Sequence, residues 1–237
     1  MKMTKKKVLL AALAICLVAI LSLGTLAWFN ASDSVTNNFY VATDADHPNP
    51  EFSVKVTETD LKGEKTEDGV TYYNVLPGAA IGKDPTVTNT GHYGQWIRVT
   101  VSLKQADLWH RCGGSLKFTD LFEGEGIAYG STENVGDADL TWLLVAEEAS
   151  VDADTGTGVW YLYLNTALLP GNSAVVFDTV HIPENFDMED VKEMGFRFEI
   201  TVKADALQSE HTGEHAVKAF DTVGWAPGTD YTDIDFG

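Results

Sequence analysis

Several stretches of the chain alternate apolar and polar side chains with a period of two. Phe52, Val54 and Val56 alternate with Ser53, Lys55 and Thr57. Ile97, Val99, Val101 and Leu103 alternate with Trp96, Arg98, Thr100 and Ser102, and Phe196, Phe198, Ile200 and Val202 alternate with Arg197, Glu199, Thr201 and Lys203. In an extended chain successive side chains leave opposite faces, so this pattern predicts strands with one face on a core and one towards water. Trp142 to Ala146, Val159 to Leu164 and Ala174 to Val180 are apolar on both faces, which predicts central strands covered on each side. Turn residues separate the runs, as in Pro77-Gly78, Asn89-Thr90-Gly91 and Pro170-Gly171. Val75-Leu76-Pro77-Gly78 precedes a strand expected at Pro85 to Asn89, and Leu168-Leu169-Pro170-Gly171 precedes Ala174 to Val180, a pattern that suits sandwich corners. The expected fold class is all-β: an antiparallel β-sandwich, jelly-roll-like, with one or two short helices. The helices are expected at Asp187 to Met194 and at Glu214 to Phe220.

The N-terminus carries a different pattern. Lys5-Lys6-Lys7 precedes sixteen uncharged residues, Val8 to Leu23, and then Gly24-Thr25-Leu26-Ala27. A basic start, an apolar run and small residues at Thr25 and Ala27 describe a secretory signal cut after Ala27, leaving Trp28 first. The rival reading is an uncleaved anchor running on through Trp28 and Phe29, which Ser22, Gly24 and Thr25 weaken. Cys16 follows Ile15 within the apolar run and reads as a small apolar residue. The organisation expected is residues 1–27 signal peptide, 28–41 extended N-terminal segment, 42–225 a single β-sandwich domain and 226–237 an acidic tail. That tail has no apolar anchor, so no stable membrane attachment is expected after cleavage. Cys112 would then be the sole thiol, in the turn-like segment Trp109-His110-Arg111-Cys112-Gly113-Gly114.

Charge excludes one class of partner. The chain has 16 Lys+Arg against 35 Asp+Glu, a formal charge of −19. Removing residues 1–27, with four lysines and no acid, leaves 12 − 35 = −23. Phosphate backbones need a basic surface, so nucleic acid is not an expected partner. Enzyme signatures are equally scarce: the chain has no G-x-S-x-G, P-loop, G-x-G-x-x-G or C-x-x-C. His211-Thr212-Gly213-Glu214-His215 spells H-x-x-E-H, the order of an inverted zinc peptidase site. That site needs one continuous helix, which Thr212 and Gly213 disfavour, and no third ligand stands at a motif distance. The expectation is therefore no metal, no cofactor and no catalytic residue, with a zinc peptidase through His211, Glu214 and His215 as the alternative. Asp152-Ala153-Asp154-Thr155-Gly156 resembles the start of a calcium loop, but the position needing Glu is Tyr163, so a surface hairpin loop is expected. Asp44-Ala45-Asp46 is acidic in a similar way. Trp160, Tyr161 and Tyr163 give either a sugar-binding face, as in an adhesin or carbohydrate-binding module, or ordinary strand packing. Asn30-Ala31-Ser32 matches a glycosylation acceptor.

Four blocks together resemble the TasA/camelysin family of exported proteins of monoderm bacteria. They are Gly24-Thr25-Leu26-Ala27-Trp28-Phe29-Asn30, then Val35-Thr36-Asn37-Asn38-Phe39, then Val75 to Gly91, and finally Ile200 to Gln208. The third reads VLPGAAIGKDPTVTNTG; the stretch Lys104 to Gly158 carries no resemblance. The resemblance implies a secreted jelly-roll protein that builds extracellular fibres of a biofilm matrix or cell surface. Its implied partners are a SipW-type signal peptidase during export and further copies of itself. In such fibres the segment freed by cleavage adds as a donor strand to the next subunit; carried over, the donor is Trp28 to Val41, the rival reading being that this segment pairs within its own domain or stays loose. Phe29, Ala31, Val35, Phe39 and Val41 share one period-two face, interrupted by Asp33 and Asn37. Fourteen extended residues span about 46 Å at ~3.3 Å each, enough to reach a neighbour. The camelysin branch also implies a metallopeptidase, for which the chain offers no conventional zinc motif.

Overall fold

The computed structural model describes residues 30–36, 53–58, 63–66, 69–72, 75–129, 140–184, 197–210 and 212–224. All but Asn30 belong to one compact unit, Ala31–Gly237. A seven-stranded sheet forms one layer. Its strands are β1 (Asn30–Thr36), β7 (Gln95–Leu103), β9 (Ile127–Tyr129), β10 (Trp142–Leu144), β11 (Ser150–Val151), β12 (Gly158–Leu164) and β15 (Ile200–Gln208). They run in the order β1-β15-β7-β12-β10-β9, with β11 paired to β12. Two three-stranded sheets also contribute to the main core. One is β13-β6-β2, from Ser173–Val175, Thr86–Asn89 and Val54–Thr57; the other is β5-β14-β8, from Ala80–Gly82, Thr179–His181 and Phe122–Glu123. A hairpin of β3 (Glu64–Thr66) and β4 (Gly69–Thr71) stands apart.

The core forms where the apolar rows meet. Val54 and Val56 of β2, Val87 of β6, and Ile97, Val99, Val101 and Leu103 of β7 share one cluster with Trp142, Trp160, Phe118, Phe122 and Phe177. The register follows from the alternation: β15 pairs antiparallel with β7 from Ile200 opposite Leu103 to Gln208 opposite Gln95, so both strands turn the same parity inward. The all-β sandwich expected from the alternation is therefore what the chain forms. Among the described residues the strand order does not establish a jelly roll. The pair β9 with β10 is parallel.

Helices depart from expectation in number and place. The described residues hold α1 (Ala106–Arg111), α2 (Phe118–Leu121) and α3 (Ala216–Thr222). Only α3 was expected, two residues earlier; Asp187 to Met194 lies outside the described residues. Cys112 lies at the turn that closes α1, with its side chain buried, 1% exposed. Ala174 to Val180 is not one central strand. It splits into β13 and β14 in different sheets, and Val176 and Phe177, both buried, make the crossing between them.

The alternation also fails on the outer face of β7. Trp96 and Arg98, read as outward, are buried, whereas Thr100 and Ser102 are half-buried. The reason is α3, which closes a second cluster of Trp96, Tyr163, Leu207, Ala216, Val217, Ala219 and Phe220. The two Pro-Gly corners behave as expected. Gly78 and Gly171 take φ of 76° and 77°, a left-handed turn that a residue without a Cβ adopts easily. Gly171 donates its N–H to the Asn89 carbonyl at 2.9 Å. The buried Asn89 side chain then fixes its own turn. Its Nδ2 donates to the carbonyls of Tyr93 and Leu168 at 2.8 and 2.7 Å, and its Oδ1 accepts from Gly91 N and Gln95 Nε2, both at 2.9 Å.

Candidate functional site

The candidate site is the flank of the seven-stranded sheet formed by β1 and β15. β15 is bound on one side to β7 along nine residue pairs. On its other side lies β1, the outermost strand of the sheet. A strand held by one neighbour can be removed without disturbing the rest of the ladder. Its departure would leave β15 with a row of open N–H and C=O groups that another strand can fill.

β15 itself is held in place from three directions. Its inward residues Ile200, Val202, Ala204 and Ala206 are buried in the main core, and Leu207 is buried under α3. Asp205, 1% exposed, ties it to β7: Arg98 Nη2 donates to Asp205 Oδ2 at 2.7 Å. Lys203 Nζ stands 2.9 Å from Asp205 Oδ1. The Arg98 guanidinium lies 4.9 Å from the Phe220 ring centre and 5.7 Å from that of Tyr161, a cation over two aromatic faces. Burial acts to lower the Arg98 pKa; the hydrogen bond and charge of Asp205, with Tyr163, outweigh it and hold the pKa above its ordinary value. β15 is thus fixed by the core, by α3 and by its ion pair to β7.

The expected donor residues fall unevenly on this geometry. Ala31 and Val35 lie within β1. Thr25, Ala27, Trp28, Phe29, Phe39 and Val41 lie outside the described residues, as do Asp44 to Asp46 and the tail at 226–237. In the single chain β1 occupies its own sheet, the place where the resemblance would put the donor of a neighbouring copy.

The other candidates resolve into structural roles or lie out of view. His211 lies outside the described residues. Residues 212–215 are not helical, Gly213 has φ 147°, and α3 begins only at Ala216. His215 is the N-cap of α3, its Nδ1 accepting the Lys218 N–H at 3.3 Å. Burial and the Lys218 charge lower its pKa against the opposing pull of Glu214. The Glu214 carboxylate is exposed and lies 3.6 Å from Lys218 Nζ. Among the described residues no group of three or more His, Cys, Asp or Glu side chains could hold a metal ion.

Asp152 organises a tight loop between β11 and β12. Its Oδ1 accepts from Thr155 N at 2.7 Å, Thr155 Oγ1 at 2.8 Å and Asp154 N at 3.1 Å, which pulls the carboxyl below its usual range. Trp160 and Tyr163 are buried, Trp160 with its Nε1 donating to the Leu116 carbonyl at 3.2 Å and Tyr163 edge-on to Phe220 at 5.7 Å. Tyr161, half-buried beside Arg98, completes the set, so these three do not form an open sugar platform. Among the described residues no helix is long and apolar enough to cross a membrane. No protein-family model, curated protein or solved structure matches this chain.

Two buried charge groups escaped the sequence reading, Arg98 with Asp205 and Lys83 with Glu58. Parity was the available signal for the second pair. Glu58 continues the inward row of Val54 and Val56, and Lys83 continues the buried row of Pro85, Val87 and Asn89.

Proposed function

We propose that the chain is an exported structural subunit of extracellular or cell-surface fibres, assembled by exchange of its N-terminal strand. The observation that carries the reading is the place of β1. The segment next to the expected cleavage point is the outermost strand of the large sheet, with β15 as its neighbour. Backbone hydrogen bonds give such a strand affinity for any equivalent edge, and alternate side chains set its register. A copy that gives β1 to the next molecule leaves its own β15 open to the molecule behind it. Such a head-to-tail contact does not close on itself, so it grows a filament. Cleavage after Ala27 by a SipW-type peptidase would release the strand, and the four blocks of TasA/camelysin resemblance favour the same reading.

The experiment compares the mature protein with a version lacking residues 28–41, by electron microscopy and circular dichroism. The mature protein is expected to form long threads. The shortened one is expected to keep a β-rich spectrum and remain as single particles. Threads from the shortened protein would overturn strand exchange through this segment.

A further inference from the structure

Lys83 and Glu58 meet inside the sandwich. Glu58 follows β2, and Lys83 stands between β5 and β6. Because Thr57 of β2 faces Thr86 of β6, continuing the register brings Glu58 diagonally towards Lys83 across the ladder. Their side chains are 1% and 2% exposed, and Lys83 Nζ donates to Glu58 Oε1. The Lys83 backbone is fixed as well, its N–H donating to the Asp178 carbonyl at 2.8 Å. Glu58 Oε2 is buried with no hydrogen-bond partner among the described residues.

A buried ion pair is favourable only when the remaining lone pairs are also satisfied, and here one carboxyl oxygen is not. Burial pushes the Glu58 carboxyl up to about 7 and the Lys83 amine down; the attraction between them opposes both shifts without cancelling them. Moving one proton along the Nζ–Oε1 contact turns the ion pair into a neutral amine, a nucleophile, beside a neutral carboxyl, whose carbon is an electrophile. Held together away from water, they have the positioning that converts a slow bimolecular condensation into an intramolecular one.

We infer that Lys83 and Glu58 become joined by an intramolecular isopeptide bond, formed by the fold itself. Lys83 Nζ attacks Glu58 Cδ with its lone pair, and a carbon–nitrogen bond forms. The bond from Cδ to one carboxyl oxygen breaks, and that oxygen leaves as water with its own proton and one from Nζ. Nζ keeps one hydrogen, as in any secondary amide, and no oxidant or cofactor is consumed. Asp84 adjoins Lys83 in the chain, and its charge acts on both groups. The product replaces the unpartnered oxygen with a neutral amide and links the end of β2 to the β5–β6 corner, across 25 positions of sequence. This inference does not depend on fibre formation.

Intact-mass spectrometry of the purified protein, with its N-terminus determined, tests it directly. The wild type is expected to be lighter than its own sequence by one water. A tryptic digest is expected to give one branched peptide joining the Glu58 and Lys83 segments. Lys83→Arg and Glu58→Ala are each expected at the full mass of their sequences. A wild type at full mass with no branched peptide overturns the bond, and that measurement needs no variant to fold.

Discussion

Asp205 serves two cations from a site almost closed to water, and this makes it the residue whose loss matters most at the β15 edge. Asp205→Ala would leave Arg98 buried beneath α3 without its carboxylate. Breaking one side of a buried pair typically costs about 3–5 kcal/mol. Urea unfolding should show that loss, and Arg98→Met combined with Asp205→Leu should recover much of it, since the apolar pair leaves no buried charge. His215 gives a pH dependence of known sign. Its pKa in the folded chain lies below the ordinary 6.5, so the unfolded chain binds the proton more readily. The stability it contributes is complete above pH 6.5 and falls away as pH drops through the lower folded value. His215→Asp keeps a cap acceptor and should remove the part of the decline in melting temperature that this imidazole causes below pH 6.5. Single residues were the least legible scale in the sequence. Alternation assigns a charge to the outer face by default, and it cannot know that a helix from far along the chain will cover Arg98. For Glu58 and Lys83 the parity was visible, but each lies beyond the obvious end of its strand.

Elements were legible where hydrophobic period alone decides them. The alternating run of β7 and the paired run of β15 need no tertiary information, and the Pro-Gly corners carry their own turn chemistry. Short helices and sheet crossings are set by packing instead. α1 exists because Trp109 fills the core: its ring lies 4.9 Å from Phe198, and its Nε1 donates to the Ser115 carbonyl at 2.9 Å. Gly114 gives that indole its space, for a Cβ there would overlap the Trp109 ring. Gly114→Ala should therefore destabilise the protein by about 1–3 kcal/mol, the usual cost of overpacking, read from the denaturant midpoint. The division between β13 and β14 was hidden for a similar reason. Val176 and Phe177 are apolar in either arrangement, and only the facing sheets decide that the chain crosses between them.

For the whole molecule, charge opposes association. The acidic excess, 35 − 12 = 23 once residues 1–27 are removed, makes copies repel at low ionic strength. Thread growth by the mature protein should accelerate with added salt or on acidification, as light scattering would follow; growth that slows with salt would mean that attractive ion pairs dominate the contact. The large sheet also has unequal margins. On one side nine-residue β15 lies beneath β1; on the other, three-residue β9 runs parallel to its neighbour. Under the proposed exchange, a displaced N-terminal ribbon would have a full-length berth at the β15 margin only. Any chain of molecules built through that berth has a head unlike its tail, and lengthens by a different event at each.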